Sequence, residues 1–272
     1  MFAGGFPQIA CRGGRSVDVA LASYVAAAAA NGGTVSAGRQ TPVRTLINAS
    51  MDLDHWWNTD DMALMAAEDA GSALTLLKSG RKMLPVNSPT FTVDRDYACD
   101  GLSSYVDTNY PLSLATQMRT GHYRIGNYER VNLAAAATSI GISETGIGVL
   151  SMRNRSASTT MLSNLISTTA TFTIVADSRG LKVVSRINSA ASVSGWERGV
   201  ALTPIAVTSN GTAVPTIALF IGARNTDGAA NQFRAGSFAW GEWGAPLPGG
   251  TASELAWYNA LQTFMTAIGA NV

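Results

Sequence analysis

Charge is scarce in this chain. Of its 272 residues 19 are Lys or Arg and 18 are Asp or Glu, together 14%, against about 25% in an ordinary globular protein. The net charge is +1 and the basic residues are scattered, so the clustered basic face that phosphate binding needs is missing and a nucleic-acid partner is not expected. Histidine is scarcer still: His55 and His122 are the two in the chain. They are too far apart in sequence for a histidine-based metal site, and no GxSxG elbow accompanies them. The two cysteines, Cys11 and Cys99, have neither zinc nor CxxC spacing. Two unlinked thiols is the plain reading, with Cys11 in its glycine-rich setting a candidate for an inter-subunit disulfide in an extracellular particle. Long apolar runs are absent too. Val17 to Ala30 contains Asp18 and is too short to span a bilayer, so membrane insertion is not expected. The first residues lack the charged and apolar regions of a signal peptide, which predicts synthesis in a cytoplasm.

Hydrophobic residues are plentiful, at 46%, enough for a sizeable core. Ala, Ser, Thr, Asn and Gly fill the place of the missing charges, a surface that suits a subunit hiding area against neighbours, or a secreted β protein. Residues 1–15 are glycine-rich and aperiodic and read as a flexible arm, either disordered or ordered only when laid on a partner. In that arm Phe2, Phe6, Ile9 and Cys11 are the candidate assembly contacts. Residues 16–82 read as a helical extension. Ser16 caps a helix over the alanine run, which Asn31-Gly32-Gly33 ends. Thr41 and Pro42 open a second helix to His55, with Val43, Leu46, Ile47 and Met51 on one face. A short helical piece lies within Ser72 to Lys78.

From about Met83 the periodicity changes. Runs of β-branched and aromatic residues such as Thr90–Val93, Tyr105–Thr108, Gly146–Arg153, Lys182–Ile187 and Thr216–Ala223 alternate with polar positions. Asp177-Ser178-Arg179-Gly180 and Ser209-Asn210-Gly211-Thr212 carry turn chemistry between such runs. Six or more strands without long intervening helices predict an antiparallel sandwich over residues 83–272. The chain closes on a helix in which Thr251 and Glu254 form a capping box and Trp257, Leu261, Phe264, Met265 and Ile268 share a face.

The stretch VNSPTFTVDRDYACDGLSSYVDTNYPLS, from Val86 to Ser113, resembles the opening strands of concanavalin A/laminin-G-like sandwiches in phage and prophage structural proteins. The stretch from Leu219 to Ala270 resembles their closing strands and C-terminal helix. Tyr24 to Ser36 and the aromatic Asp54–Asp61 segment are similar to the same chains. Tyr105-Val106-Asp107-Thr108 and Ile221-Gly222-Ala223-Arg224-Asn225 are the most specific phrases. The resemblance implies a mainly β, concanavalin A-like or jelly-roll antiparallel sandwich with an N-terminal helical extension and a C-terminal helix. It also implies a virion structural protein: an appendage, fibre, collar or decoration subunit, with copies of itself and other virion proteins as partners. A receptor-binding module for host surface polysaccharide is the alternative, and a glycan-degrading enzyme a further one. It brings no catalytic or metal motif, and no cofactor is expected.

Catalysis on such a sandwich needs two carboxylates about 5 Å apart. None of Glu68, Glu129, Glu144, Glu197, Glu242 and Glu254 has an acidic partner at strand spacing. Glu242, between Trp240 and Trp243, is the best lone candidate, weighed against a strand charge among aromatics. Beside Trp56 and Trp57, His55 reads as a packing residue; His122 reads as a loop residue. Asp52, Asp54, Asp94, Asp96 and Asp100 suggest the start of a calcium loop but lack its further ligands; local backbone bonds are the alternative. Sugar binding needs exposed aromatic platforms. Tyr123, Tyr128, Trp240 and Trp243, with Trp196, are the candidates, each weighed against a place in the core.

Overall fold

Ser16 accepts a hydrogen bond from Val19 N at 3.3 Å and so starts helix α1, Val17–Ala30. Helix α2, Ala37–Asp52, starts earlier than Thr41, because Ser36 takes the capping role and is itself held by the Glu68 carboxylate at 2.7 Å. Pro42 therefore lies inside the helix. Its ring faces the carbonyl four residues back, at Gly38, where the lost hydrogen bond is tolerated because Val43, Leu46 and Ile47 are buried beyond it. Asp54, with φ of 58°, breaks the chain into a third short helix, α3, His55–Asn58, and Asp69 caps a fourth, α4, Ala70–Ala73. The computed structural model describes residues 16–165, 168–207 and 213–272. The arm residues Phe2, Phe6, Ile9 and Cys11, and the turn at 209–212, lie outside them.

Two nine-stranded sheets face each other. The first runs in the order Val200–Ala201, Ser192–Glu197, Gly180–Arg186, Tyr123–Glu129, Ser237–Gly244, Asp96–Ala98 and Thr90–Thr92. The second runs Thr168–Thr173, Thr160–Leu165, Gly148–Ala157, Ile140–Glu144, Ala218–Ile221, Tyr105–Pro111 and Leu84–Val86. Apart from Arg224–Thr226, which lies parallel to Ile140–Glu144, the paired strands are antiparallel. This is a mainly β, two-sheet antiparallel sandwich with five α-helices among the described residues, one of them C-terminal.

Three differences from expectation have local causes. Thr59–Leu64, inside the supposed helical extension, is a buried strand that pairs with Ser237–Gly244 in the first sheet. The turn at Asp177–Gly180 does not close a hairpin, since the strand before it belongs to the second sheet and the strand after it to the first. It is an arch between layers. Helix α5, Thr251–Ala267, has no side-chain cap, because the Glu254 carboxylate is engaged by Arg124 instead.

The side-chain period of two along a strand divides the core. Tyr123, Ile125, Val184, Val193, Phe238 and Trp243 join Ile140, Ile142, Leu150, Met152, Phe172 and Ile221 in one cluster between the sheets. Tyr128, Leu181, Val183, Trp196 and Trp240 point the other way, into a second cluster with Leu21, Tyr24, Val43, Leu46, Trp257, Leu261 and Phe264 from the helices. The protein is thus three layers deep: helices, first sheet, second sheet. The far face of the second sheet has no described helix on it.

Candidate functional site

The four aromatics singled out as sugar platforms are all core residues. Tyr123 is 1% exposed, and Tyr128, Trp240 and Trp243 are fully buried. Tyr128 spends its hydroxyl on Gln262 Oε1 at 2.8 Å and Trp196 its indole N–H on Thr251 at 3.4 Å. None of these rings offers a face to solvent. They alternate along strands of the first sheet, and both faces of that sheet are covered.

Glu242 and His55 sit at the centre of a buried polar cluster beneath the helices. The Glu242 Oε2 atom accepts from Trp240 Nε1 at 2.9 Å, Trp257 Nε1 at 3.1 Å and His55 Nε2 at 2.9 Å. Its other oxygen has no aligned donor and is matched by charge, with Arg124 Nη1 at 2.8 Å. Burial opposes ionisation, but Arg124 and then His55 outweigh it and hold the carboxyl at about 2. His55 is pushed down to about 4, chiefly by burial, although Glu242 pulls the other way. It is a neutral ring that donates from Nε2 and accepts at Nδ1 from Ser50 Oγ, 2.9 Å away, and it stacks on Trp257 with centroids 3.7 Å apart. Ser50, His55 and Glu242 therefore have the connectivity of a hydroxyl–imidazole–carboxylate relay. Ser50 is 1% exposed and the other two fully buried, so no substrate carbonyl can reach the hydroxyl. A cleft of about 440 Å³ opens elsewhere, between Thr173–Val175 and Glu197–Leu202. The cluster ties helices to sheet. Sequence spacing could not find it, because its members come from five separate elements.

The remaining candidates are local. His122 is half-buried in a loop and accepts from Asn188 N at 3.2 Å. Asp94 pairs with Arg39 and Asp96 with Arg130. Asp100 accepts from the backbone of Leu102, Ser103 and Ser104 at 2.8–2.9 Å, bonds that hold its carboxyl well below the usual range. Among the described residues no three His, Cys, Asp or Glu side chains gather where they could hold a metal. Cys99 is a free, buried thiol.

The far face of the second sheet is different. Thr169, Thr171 and Thr173 are exposed there, and Tyr105, Arg153, Leu162, Arg224, Gln232 and Phe233 half-buried. Tyr105 stacks on Phe220 with centroids 4.5 Å apart and meets Phe233 at 6.1 Å. Phe220 in turn sits opposite Gly141 and Asp107 on the flanking strands. An aromatic group and a set of hydrogen-bonding side chains thus share the face of the second sheet that is turned away from the first. Tyr105 and Arg224 lie in the two phrases most specific to the family resemblance, but no spacing in the sequence signals that they share a face.

No family model matches the sequence, and no curated protein sequence is similar to it. The fold is similar to that of a Trypanosoma rangeli sialidase solved in complex with 2-keto-3-deoxy-D-glycero-D-galacto-2,3-difluoro-nononic acid. There the TM-score is 0.52 at 8% identity, over 84% of this chain and 40% of that one. The CBM40 of the Ruminococcus gnavus IT-sialidase, bound to α2,3-sialyllactose, matches over 59% of this chain and 94% of its own, with a TM-score of 0.44 at 10% identity. The NanB sialidase of Streptococcus pneumoniae matches over 57% of this chain, with a TM-score of 0.43 at 12% identity. The chain spans 26% of NanB and 40% of the T. rangeli enzyme, well under two thirds of either. At such identities the likeness is one of fold: the chain is a lectin-like and sialidase-like antiparallel two-sheet sandwich.

Proposed function

We propose that this chain is a non-enzymatic glycan-recognition module, and that the open face of its second sheet is the recognition surface. The observation that carries this reading is the asymmetry of the sandwich. One sheet is buried on both sides. The other leaves Tyr105 and Phe233 beside Arg153, Arg224 and Gln232 on a face with no described helix over it. Aromatic rings with apolar faces and polar edges suit the apolar and hydroxylated faces of a sugar. The test is binding of the purified protein to an immobilised array of bacterial surface oligosaccharides. Tyr105→Ala and Phe233→Ala should each weaken binding without lowering the melting temperature. Unchanged binding in both variants would place recognition elsewhere.

The proposal that the module does no hydrolysis rests on the burial of Ser50, His55 and Glu242 and on the ion pairing of the remaining buried glutamates. Release of reducing ends from polysaccharide that vanished in Glu242→Gln would overturn it.

We further propose that the module is carried on a phage-type virion, assembling with copies of itself and with other virion proteins. The supporting observations are the phrase resemblance over Val86–Ser113 and Leu219–Ala270 and the low charge content of 14%. Antibody labelling of intact particles in electron micrographs tests this. Failure to label any virion structure would overturn it.

A further inference from the structure

On the open face of the second sheet, two arginines stand out by what they lack. Arg153 comes from the strand Gly148–Ala157, where its neighbours Met152 and Asn154 point into the sandwich and are fully buried. Arg224 starts the strand Arg224–Thr226, where its neighbour Asn225 is buried and bonded to Ala218 O. Both strands flank Ile140–Glu144, one on each side, so the two arginines share the outer face of the sheet. Neither arginine has a carboxylate within ion-pair distance among the described residues. The ten ion pairs of Asp and Glu with Arg or Lys found there involve other cations.

Both guanidinium groups are nevertheless held. Arg153 Nη2 donates to Gln232 Oε1 at 3.0 Å, and that oxygen also accepts from Thr138 Oγ1 at 2.9 Å. Arg224 Nε donates to Asn231 Oδ1 at 3.2 Å, while Asn231 donates to Thr226 Oγ1 at 2.8 Å. Each arginine is thus steadied by a neutral amide, which positions the group and leaves its charge uncompensated. The Arg153 Nε–H is buried and has no acceptor at all. The two charges feel each other: burial lowers the pKa of both, and the charge of Arg153 lowers that of Arg224 further. Half-buried like charges side by side oppose each other unless an anion lies between them. A planar guanidinium offers parallel N–H donors that match a carboxylate or sulfate.

We propose that Arg153 and Arg224 form the acid-recognising part of the glycan surface, and that the saccharide bound there carries a negatively charged group. This rests on the reading of the open sheet as a glycan surface and adds the class of sugar. Charged residues at such a site contribute specificity and salt dependence more than bulk affinity. The aromatic group around Tyr105 lies on the neighbouring strands, so the same ligand reaches both.

The experiment is an array of uronate-containing, sialylated, sulfated and neutral oligosaccharides probed with the intact protein, Arg153→Ala, Arg224→Ala, the two Lys substitutions and Tyr105→Ala. Acidic glycans are expected to bind in preference to their neutral counterparts. Each Ala substitution should weaken that binding about tenfold or more, and each Lys substitution less, since it keeps charge but loses the fork. Raising NaCl from about 50 to about 500 mM should weaken the intact protein on acidic glycans, a measurement that needs no variant to fold. The uronate and sulfate arms separate the two sources of charge. Neutral glycans bound equally well, with both Ala variants unaffected and Tyr105→Ala impaired, would overturn the acidic site and leave the glycan module standing. No binding to any glycan would overturn both.

Discussion

Arg124 and Glu254 meet through two hydrogen bonds of 2.8 Å each, although 130 positions separate them in sequence. One belongs to the strand Tyr123–Glu129 in the first sheet, the other to helix α5, and both are buried. The guanidinium also reaches Glu242 with its third nitrogen, so a single cation is shared by two carboxylates. Its own pKa is raised, because the two glutamates outweigh the burial that would lower it.

Removing Arg124 leaves two buried carboxylates with no cation between them, and removing the Glu254 charge takes the ionised acceptor from two buried guanidinium N–H groups. Glu254→Gln and Arg124→Met should each destabilise the fold by about 3–5 kcal/mol. Urea titration of the intact protein and the two variants, followed by tryptophan fluorescence, measures the loss. A cost below about 1 kcal/mol would mean that solvent reaches the cluster.

Acid should unfold the protein in two stages. The unfolded chain protonates its histidine near 6.5, while folded His55 resists down to about 4. Between those values the unfolded state binds the extra proton, so stability falls as pH falls, at most by about 1.4 kcal/mol per pH unit. Glu242 repeats the pattern from 4.5 down to about 2, its contribution being complete above 4.5 and lost below. Melting temperatures across pH 7 to 3 should show both limbs, and His55→Gln should remove the first. A melting temperature flat from pH 6.5 to 4.5 would contradict a buried, neutral His55.

Gly126 lies opposite Glu242 on the neighbouring strand. A Cβ added there would stand 2.7 Å from Glu242 Oε1 and 3.1 Å from Val183 Cγ2. Gly126→Ala should therefore cost about 1–3 kcal/mol through overpacking against a carboxylate that its donors hold in place. Differential scanning calorimetry of this variant beside Gly146→Ala gives the comparison. At Gly146 a Cβ meets nothing within 4 Å, and the residue bears only the strain of its φ of 79°.

Trp257 is fully buried and Phe264 is 3% exposed, both beneath helix α5. Trp257→Ala and Phe264→Ala should each cost about 3–5 kcal/mol. Trp257→Phe isolates a smaller term, the indole N–H to Glu242 at 3.1 Å. Denaturant midpoints for the three variants measure these terms, and a loss below about 1 kcal/mol for either Ala variant would contradict close packing of this helix.

The layers were legible from periodicity. Helix α1 falls where the Ser16 cap and the alanine run put it, helix α5 where the apolar spacing does, and the turn from helical to alternating patterns marks where most of the strands begin. Thr59–Leu64 was not legible, because TDDMAL is buried on both faces and so lacks the alternation that betrays a half-exposed strand. The aromatic candidates failed for a related reason. Alternation marks two faces without saying which is open, and here helices cover the face that would otherwise have met water. Arg153 and Arg224 carry no sequence signal, because their meaning lies in the carboxylates that are not beside them.

The place of Ser237–Gly244 has a consequence for time. It is the last strand made among the described residues, yet it lies in the middle of the first sheet, bonded to Tyr123–Glu129 on one edge and to Thr59–Leu64 and Asp96–Ala98 on the other. While the chain is being synthesised, Leu64 waits for Trp240 and Tyr128 for the same residue, and until then the first sheet is two fragments with bare edges between them. Contacts so distant in sequence slow folding, and bare edges invite other chains. A nascent chain that stops short of residue 237 holds most of the mass of the domain and not its keystone.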